Sequence, residues 1–256
     1  MRLNKIDRLV DLRSRLAADT PIVGTWIQIP SADYAEIIGN AGYDWAAVDL
    51  EHGAVSRSQL PDIFRALELG GTVPFSRIAN PDPSLCQQSL DAGAAGVILP
   101  RIDGAKQLES LVSACKWPPD GRRGVGFSRA NLYGTFFEQY KAEAARPFVV
   151  AQIESAIAVH SIDEIVQVDG VDAFMIGPYD LSASLGCTGQ LTNEIVRSAI
   201  STIISSCQRF RKPSGFHVVE PSPKLLSQAV ADGHRFIAYG TDAKFFSLGL
   251  ANPLQR

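Results

Sequence analysis

The sequence lacks the features that would place the chain in a membrane, in an oxidising compartment or on nucleic acid. No run reaches the roughly 18 uninterrupted apolar residues of a membrane span, and the N-terminus lacks the apolar stretch of a signal peptide. The four cysteines form no C-x-x-C pair, and none has a histidine at a zinc-binding spacing. The net charge is −3, without a basic stripe interleaved with aromatic residues. We therefore expect a cytoplasmic protein with no membrane or nucleic-acid partner.

The sequence also has no low-complexity tract and no long polar run. Hydrophobic residues make up 46% of the chain and charged residues 20%, which is enough apolar material for a large buried core. The length of 256 residues is close to the roughly 250 residues typical of one (β/α)8 barrel. We therefore expect residues 1–256 to form a single domain.

A repeated unit runs through the chain, in which a helical pattern ends in glycine and a strand-like apolar run follows within a few residues. Glycine suits the left-handed position just past a helix end. These glycines are Gly42, Gly70, Gly93, Gly170 and Gly233. With Ile22–Ile27, 147–154 and 215–219 added, eight strand candidates alternate with helical patterns after an N-terminal helix.

This alternation predicts a parallel sheet. Eight units favour closure into a (β/α)8 TIM barrel with an extra N-terminal helix over an open doubly wound sheet. No G-x-G-x-x-G motif follows the first strand, which argues against a dinucleotide-binding fold.

Two carboxylates, Glu154 and Asp180, stand where apolar strand-like runs give way to turns. The carboxyl ends of barrel strands meet at one mouth, so two distant acids can share a metal ion there. Gln152 faces the same way as Glu154 on an extended strand. Oxygen ligands without cysteine or histidine favour Mg²⁺ or Mn²⁺, with Co²⁺ as a further option. Taken alone, Asp180 is more typical of a helix cap.

The second and third strands also end in polar residues. Asp49 and His52, in the motif VDLEH, suggest an imidazole paired with a carboxylate, which suits a general base. A solvated turn would give the same pattern. Arg77 ends the third strand, where a guanidinium suits a carboxylate or an enolate oxygen, or alternatively an ion pair at the barrel rim. His217 lies inside a predicted strand and is typical of a satisfied core residue.

Two further patterns bear on the site. No lysine falls at the carboxyl end of a predicted strand, which favours a metal over a Schiff-base lysine for carbonyl chemistry. The longest irregular stretch, Trp117–Gly134, lies between the fourth and fifth strands. We interpret it as a candidate active-site loop, with a surface excursion as the alternative.

The motifs DLEH, LDAGA, PPDGRRGVG, QIES and GPYDLSASLG, together with Arg77 at a strand end, resemble those of the class II pyruvate aldolases of the phosphoenolpyruvate/pyruvate barrel superfamily. That group includes 4-hydroxy-2-oxoheptanedioate aldolase and 2-dehydro-3-deoxyglucarate aldolase. The resemblance implies a metal-dependent retro-aldol cleavage of a 4-hydroxy-2-oxo acid into pyruvate and an aldehyde. It makes Glu154 and Asp180 the metal ligands and Arg77 the partner of the pyruvyl keto oxygen.

The resemblance assigns the remaining site residues as well. Gln152 would touch pyruvate, and the turn would offer its carboxylate the backbone N–H groups of Gly177, Tyr179 and Asp180. His52, oriented by Asp49, would act with a metal-bound water to take the proton of the C4 hydroxyl. A neighbouring subunit of a homohexamer would supply Asp91, from LDAGA.

Two departures from the family pattern leave the aldehyde less defined than the reaction. Tyr179 stands where several members of the family carry alanine, and FSRIANPDP replaces the commoner Val-Arg-Pro run around the arginine. The alternatives are another carbon–carbon lyase on the same barrel, acting on a CoA ester or decarboxylating oxaloacetate, and a non-catalytic barrel subunit.

Overall fold

The computed structural model describes residues 5–250, where the eight predicted strands form one closed barrel. Each strand pairs in parallel with the next, and the last pairs with the first, which confirms the predicted (β/α)8 architecture. The strands are Ile22–Ile27 (β1), Trp45–Asp49 (β2), Val73–Arg77 (β3), Gly96–Leu99 (β4), Phe148–Ile153 (β5), Ala173–Ile176 (β6), Ser214–Val218 (β7) and Phe236–Thr241 (β8). The ends of the predicted domain, 1–4 and 251–256, lie outside the described residues.

Helices cover the outside of the barrel, and the predicted N-terminal helix precedes β1. The helices are Lys5–Ala17 (α1), Ala32–Gly39 (α2), Leu60–Gly70 (α3), Pro83–Asp91 (α4), Ala105–Cys115 (α5), Phe137–Ala145 (α6), Ala156–His160 (α7), Ile162–Ile165 (α8), Pro178–Ser184 (α9), Glu194–Arg209 (α10), Pro223–Ala231 (α11) and Asp242–Gly249 (α12). Short 3₁₀ helices lie at Arg57–Gln59 and Arg129–Gly134. Within residues 5–250, none of these helices is long and apolar enough to cross a membrane.

Stacked aromatic rings fill the barrel interior below the carboxyl ends of the strands. Trp45 stacks on Phe236 with ring centroids 4.4 Å apart, and Phe75 stacks on Phe148 at 5.1 Å. All four rings are fully buried. Close packing of this kind leaves the four rings little freedom to move. The polar residues at the mouth therefore lie on a rigid apolar layer.

The glycine signal between helix and strand is confirmed at four of its five positions. The four glycines with positive φ are Gly42, Gly93, Gly170 and Gly233. The prediction is wrong at Gly70, because α3 continues through that residue and Gly71 takes the left-handed conformation at φ +90°. Gly70 serves helix packing instead: a Cβ there would lie 2.1 Å from the backbone carbon of Gly39 in α2.

The stretch Trp117–Gly134 lies at the end of the barrel opposite the mouth, because it follows α5 and leads through α6 to the start of β5. Its Arg123 side chain is buried and donates a hydrogen bond of 2.8 Å to the Tyr140 hydroxyl. Arg129 forms an ion pair with Glu68, near the end of α3. The interpretation as an active-site loop of its own barrel is therefore wrong. A long irregular segment marks a functional loop at this mouth only when it follows a strand.

Candidate active site

Two adjoining cavities open at the carboxyl ends of the strands. The first, of about 570 Å³, is lined by residues that include Arg77, Gln152 and Tyr179. The second, of about 610 Å³, is lined by residues that include Glu51 and Glu154. His52 and Asp180 line both cavities, so the residues predicted from separate strands do meet at one mouth.

Each of the four odd-numbered strands contributes one side chain to the first cavity. These are Trp26 from β1, Arg77 from β3, Gln152 from β5 and His217 from β7. Alternate strands of such barrels supply interior layers in fours, usually of branched apolar residues. This layer is polar, and three of its buried atoms have no hydrogen-bond partner: Trp26 Nε1, Gln152 Oε1 and His217 Nε2. Buried polar atoms are normally paired, so the layer is suited to a polar ligand.

Arg77 and Asp49 form a buried two-point ion pair across neighbouring strands. Nε of Arg77 donates to Asp49 Oδ1 at 2.9 Å, and a terminal nitrogen donates to Oδ2 at 2.7 Å. Burial alone would raise the pKa of Asp49, but the hydrogen bonds and charge of Arg77, with a hydrogen bond from Gln28, hold it below its ordinary value. The guanidinium lies 4.4 Å above the Trp26 ring. Only its second terminal nitrogen, 3.5 Å from Glu51, is free of Asp49.

This arrangement corrects the predicted pairing of Asp49 with the His52 imidazole. The only hydrogen bond from His52 to that carboxylate comes from its backbone N–H, at 3.1 Å. The His52 residue is exposed, at the edge shared by the two cavities. Asp49 therefore orients Arg77, whereas His52 contributes only its backbone N–H to that carboxylate.

Glu154 is a buried carboxyl group, with 4% of the residue exposed. It accepts hydrogen bonds from the backbone N–H of Arg101, at 2.6 Å, and from the amide of Gln152, so the two side chains face the same way as predicted. Burial raises the pKa of Glu154 to about 7, and the nearby charges of Glu51 and Asp180 add to the shift. A carboxyl group destabilised in this way favours a nearby cation.

The turn after β6 brings Asp180 to the mouth. A Cβ at Gly177 would lie 2.6 Å from Glu154 Oε2, so this close approach requires glycine. The Gly177 N–H donates to the carbonyl oxygen of Ile153 at 3.1 Å, which contradicts the prediction that it is offered to a substrate. The cap residue of α9 is Gly177, so the alternative of Asp180 as a helix cap is also wrong. Tyr179 and Asp180 are exposed and line the first cavity.

The residues at the mouth fit a hard divalent cation. Within residues 5–250, no group of three or more histidine, cysteine or acidic side chains is arranged to enclose a metal ion. Mg²⁺, however, is usually bound by one or two carboxylates, with water and substrate completing its shell. Glu154 and Asp180 provide such a pair of oxygen donors in the second cavity, and the burial of the Glu154 carboxylate favours a cation beside it.

Asp91 lies apart from this mouth. It is the last residue of α4, at the end of the barrel opposite the mouth. Its carboxylate accepts a hydrogen bond of 3.4 Å from Gln87 and lies 3.9 Å from Nε of Arg123. It cannot reach the mouth of its own barrel, so its assignment to a neighbouring subunit stays a prediction.

Sequence reasoning missed two residues at the mouth, Glu51 and His217. Glu51 lies between the two residues chosen from VDLEH and contacts both Arg77 and Arg101. His217 occupies the same place near the end of β7 as Arg77 and Gln152 occupy in β3 and β5. A comparison of odd-numbered strand ends could have found it.

The fold and the site together define a (β/α)8-barrel enzyme whose polar site lies at the carboxyl ends of its strands. The family model described as HpcH/HpaI aldolase/citrate lyase matches residues 23–248, and the chain belongs to this family. The resemblance seen in the sequence motifs is thereby confirmed.

Individual relatives are similar over most of the chain. A protein of Pseudomonas putida named 2-dehydro-3,6-dideoxy-6-sulfogluconate aldolase is 36% identical, covering 86% of each chain. One of Roseobacter denitrificans named hydroxypyruvate/pyruvate aldolase is 32% identical, covering 90% of each. The crystal structure of an HpcH/HpaI aldolase/citrate lyase family protein from Burkholderia cenocepacia superposes with a TM-score of 0.87 at 29% identity, covering 93% of this chain and 95% of the other.

Proposed function

We propose that this protein is a divalent-metal-dependent aldolase that cleaves a 4-hydroxy-2-oxo acid into pyruvate and an aldehyde. The observation that carries the proposal is the buried carboxyl group of Glu154, which shares the mouth with Asp180 and Arg77. Membership of an aldolase family and two relatives named as aldolases support the same reaction. The Roseobacter relative is named for hydroxypyruvate as well as pyruvate, so both acids are candidates for the three-carbon product.

Glu154 and Asp180 would hold the cation, Mg²⁺ or Mn²⁺ with Co²⁺ as a further option. When bound, the cation supplies a Lewis acid that polarises the 2-oxo group of the substrate. Glu154 is suited to this task because its carboxylate accepts a hydrogen bond from the backbone N–H of Arg101, which fixes the carboxylate at the strand end. The side-chain amide nitrogen of Gln152 donates a hydrogen bond to the other carboxylate oxygen of Glu154. The amide oxygen of Gln152, Oε1, has no partner and is left for the ligand.

Arg77 binds the keto oxygen through the terminal nitrogen that Asp49 leaves free. Because Asp49 and Trp26 fix the guanidinium on two sides, this donor does not have to be reorganised as negative charge develops on the oxygen. The backbone N–H groups of Tyr179 and Asp180 face the substrate carboxylate, and Gln152 contacts the pyruvyl group. Asp49 acts as a positioning residue for Arg77.

His52 takes the proton from the C4 hydroxyl group. The C3–C4 bond then breaks, its electron pair moves to the pyruvyl half to form the enolate, and C4 leaves as the aldehyde carbon. C3 then takes up a proton from water and His52 returns the hydroxyl proton to water, which completes pyruvate. The exposed position of His52 at the edge of both cavities suits this role, since C4 carries the part of the substrate that extends towards solvent.

We also propose a cytoplasmic homo-oligomer, a hexamer by resemblance, in which Asp91 completes the mouth of a neighbour. The end of the barrel that carries Asp91 also carries exposed apolar side chains, among them Val125, Phe127 and Tyr133. Apolar groups collected on one surface favour contact with another protein surface. Light scattering of the purified protein should give a multiple of the chain mass, and a monomer would rule out this role for Asp91.

The reaction is tested with a panel of 4-hydroxy-2-oxo acids that differ beyond C4. Pyruvate release is followed with a coupled dehydrogenase, with Mg²⁺ or Mn²⁺ present or with EDTA in excess. We expect cleavage that EDTA abolishes and that added metal restores. Release of pyruvate that EDTA leaves unchanged would contradict the role of the metal, and no cleavage of any member would contradict the aldolase proposal.

A further inference from the structure

His217 is a residue of the mouth that the proposed reaction does not use. It extends from β7 into the first cavity, with its ring centroid 5.8 Å from that of Trp26. Its Nε2 atom is buried and has no hydrogen-bond partner. The interpretation of His217 as a satisfied core residue is therefore wrong.

The surroundings of the ring define what His217 can offer a ligand. Burial lowers the pKa of His217 to about 4. The imidazole donates a hydrogen bond to the backbone carbonyl of Gly240, near the end of β8. A carbonyl group can only accept, so the ring nitrogen that faces it carries the proton. Since Nε2 is the unpartnered nitrogen, the proton is on Nδ1 and Nε2 is an acceptor. His217 thus presents a neutral, buried acceptor that is complementary to a hydroxyl group.

The proposed binding of the 2-oxo acid indicates which hydroxyl group this is. The carbonyl carbon has three substituents spread in one plane. Its oxygen points to Arg77 on β3, and its carboxylate points to the turn after β6. The third substituent, C3, therefore points to the remaining sector of the barrel, where Trp26 and His217 line the cavity. A hydroxyl group on C3 lies on the side of Nε2, whereas an unsubstituted C3 leaves Nε2 without a donor.

We propose that His217 is a specificity residue that accepts a hydrogen bond from a hydroxyl group on C3, so that hydroxypyruvate is used in preference to pyruvate. The inference rests on the proposed aldolase function. In the synthetic direction, C3 of hydroxypyruvate loses a proton, the resulting enediolate carbon bonds to the aldehyde carbon, and the alkoxide formed at C4 takes up a proton. The product is a 3,4-dihydroxy-2-oxo acid, and cleavage is the reverse.

The test compares hydroxypyruvate and pyruvate in the wild type, His217→Leu and His217→Gln. Leucine removes the acceptor and keeps an apolar side chain, while glutamine restores a polar group at a similar distance from the backbone. Exposed His160→Leu is the matched control for the same substitution away from the cavity. Exchange of the C3 protons with deuterium, followed by proton NMR with Mg²⁺ present, gives kcat/KM for each acid, and calorimetry gives each Kd.

We expect the wild type and His160→Leu to favour hydroxypyruvate by about tenfold or more in kcat/KM, because a site that hydrogen-bonds a hydroxyl group rejects the analogue without it. His217→Leu should abolish the preference, because it lowers kcat/KM for hydroxypyruvate far more than kcat/KM for pyruvate. His217→Gln should recover part of it. The calorimetric comparison on the wild type needs no variant, and hydroxypyruvate should bind about tenfold more tightly.

Equal kcat/KM values for the two acids in the wild type would overturn this inference, as would a preference for hydroxypyruvate that persists in His217→Leu. Equal losses on both acids in His217→Leu would also overturn it, because they would indicate a structural role. In each of these cases, exchange of the C3 protons of pyruvate by the wild type would still support the proposed aldolase function. Exchange of neither acid by the wild type would instead contradict the proposed function itself.

Discussion

At the scale of single residues, the mouth depends on a buried ion pair whose partners have different tasks. Asp49 is fully buried and uses both carboxylate oxygens to hold Arg77. Arg77 uses two of its three nitrogens for this contact, and the third, which lies 3.5 Å from Glu51, is the one proposed to bind the ligand. A fixed guanidinium gives directed donors that a lysine ammonium cannot reproduce.

Replacing Arg77 tests this division of tasks. Arg77→Ala should lower kcat for aldol cleavage by about 10²–10³-fold, the effect typical of removing one donor to a developing oxyanion. It should also destabilise the protein by about 3–5 kcal/mol, because Asp49 is left buried without its partner. Turnover and thermal unfolding are measured together.

The double variant Asp49→Asn with Arg77→Ala separates the two effects. Removal of both buried charges should restore much of the thermal stability and none of the lost turnover. If turnover returned together with stability, Arg77 would be a structural residue and its contact with the keto oxygen would be wrong.

His52 is tested by comparing two reactions at the same mouth. Aldol cleavage requires a base for the C4 hydroxyl, whereas decarboxylation of oxaloacetate yields the same enolate without that proton transfer. His52→Ala should therefore reduce cleavage by about 10²–10⁴-fold and decarboxylation far less. Equal losses in the two steady-state assays would show that His52 does not act on the hydroxyl group.

The sequence predicted which residues reach the mouth better than it predicted their partners. Asp49 and His52 are three apart in the chain, which suggested a pair. In the barrel, Asp49 is the direct neighbour of Arg77 across β2 and β3. Chain spacing gives no information on strand register, and register determines which side chain faces a buried carboxylate.

At the scale of elements, the turn from β6 into α9 brings the two proposed ligands together. Gly177 lies against both Glu154 and Gln152, and a Cβ there would be 2.9 Å from the Gln152 amide nitrogen. Its φ of −94° is open to any residue, so close contact rather than backbone strain excludes a side chain.

Gly177→Ala should therefore displace the Glu154 carboxylate. We expect weaker binding of Mg²⁺ or Mn²⁺ by about tenfold or more, with the melting temperature of the metal-free protein nearly unchanged, because a shift of side chains at the cavity leaves the core intact. Calorimetric titration and thermal unfolding are the two measurements. Gly104→Ala, where a Cβ would contact nothing within 4 Å, is the matched control. Unaltered metal affinity in Gly177→Ala would contradict the placement of Glu154 as a ligand.

The elements themselves are predictable in large part because four of the eight strands follow the same local signal. A helix that ends before a left-handed glycine precedes β2, β4, β6 and β8. Such a glycine can be recognised in a single sequence. Length alone predicts the wrong end of the barrel for the loop Trp117–Gly134, because it does not show that the loop follows a helix. Segments after helices reach the amino ends of the strands, away from the mouth.

At the scale of the whole molecule, buried histidines should make stability depend on pH. His234 is buried beside Ser214, and burial lowers its pKa to about 4 from an ordinary value of 6.5. Between these values the unfolded chain binds a proton that the folded chain does not, so stability is complete above about pH 6.5 and is lost as the pH falls towards 4. The total effect is about 3 kcal/mol.

His234→Gln should flatten this dependence. In the wild type, we expect the melting temperature to fall progressively from about pH 6.5 to about pH 4, and the variant should lose less over the same range. His160→Gln, at an exposed position, is the matched control and should follow the wild-type curve. Parallel curves for wild type and His234→Gln would show that His234 does not contribute to the acid sensitivity.

The proposed reaction depends on one divalent cation held between Glu154 and Asp180, and the binding of Mn²⁺ in the presence of pyruvate tests this cation site most directly. Electron paramagnetic resonance of free Mn²⁺ gives the number of ions bound per chain. We expect the proposed site to bind about one ion per chain in the wild type and to lose much of its affinity in Glu154→Gln and Asp180→Asn. Binding that is absent from the wild type, or that survives both substitutions, would contradict it.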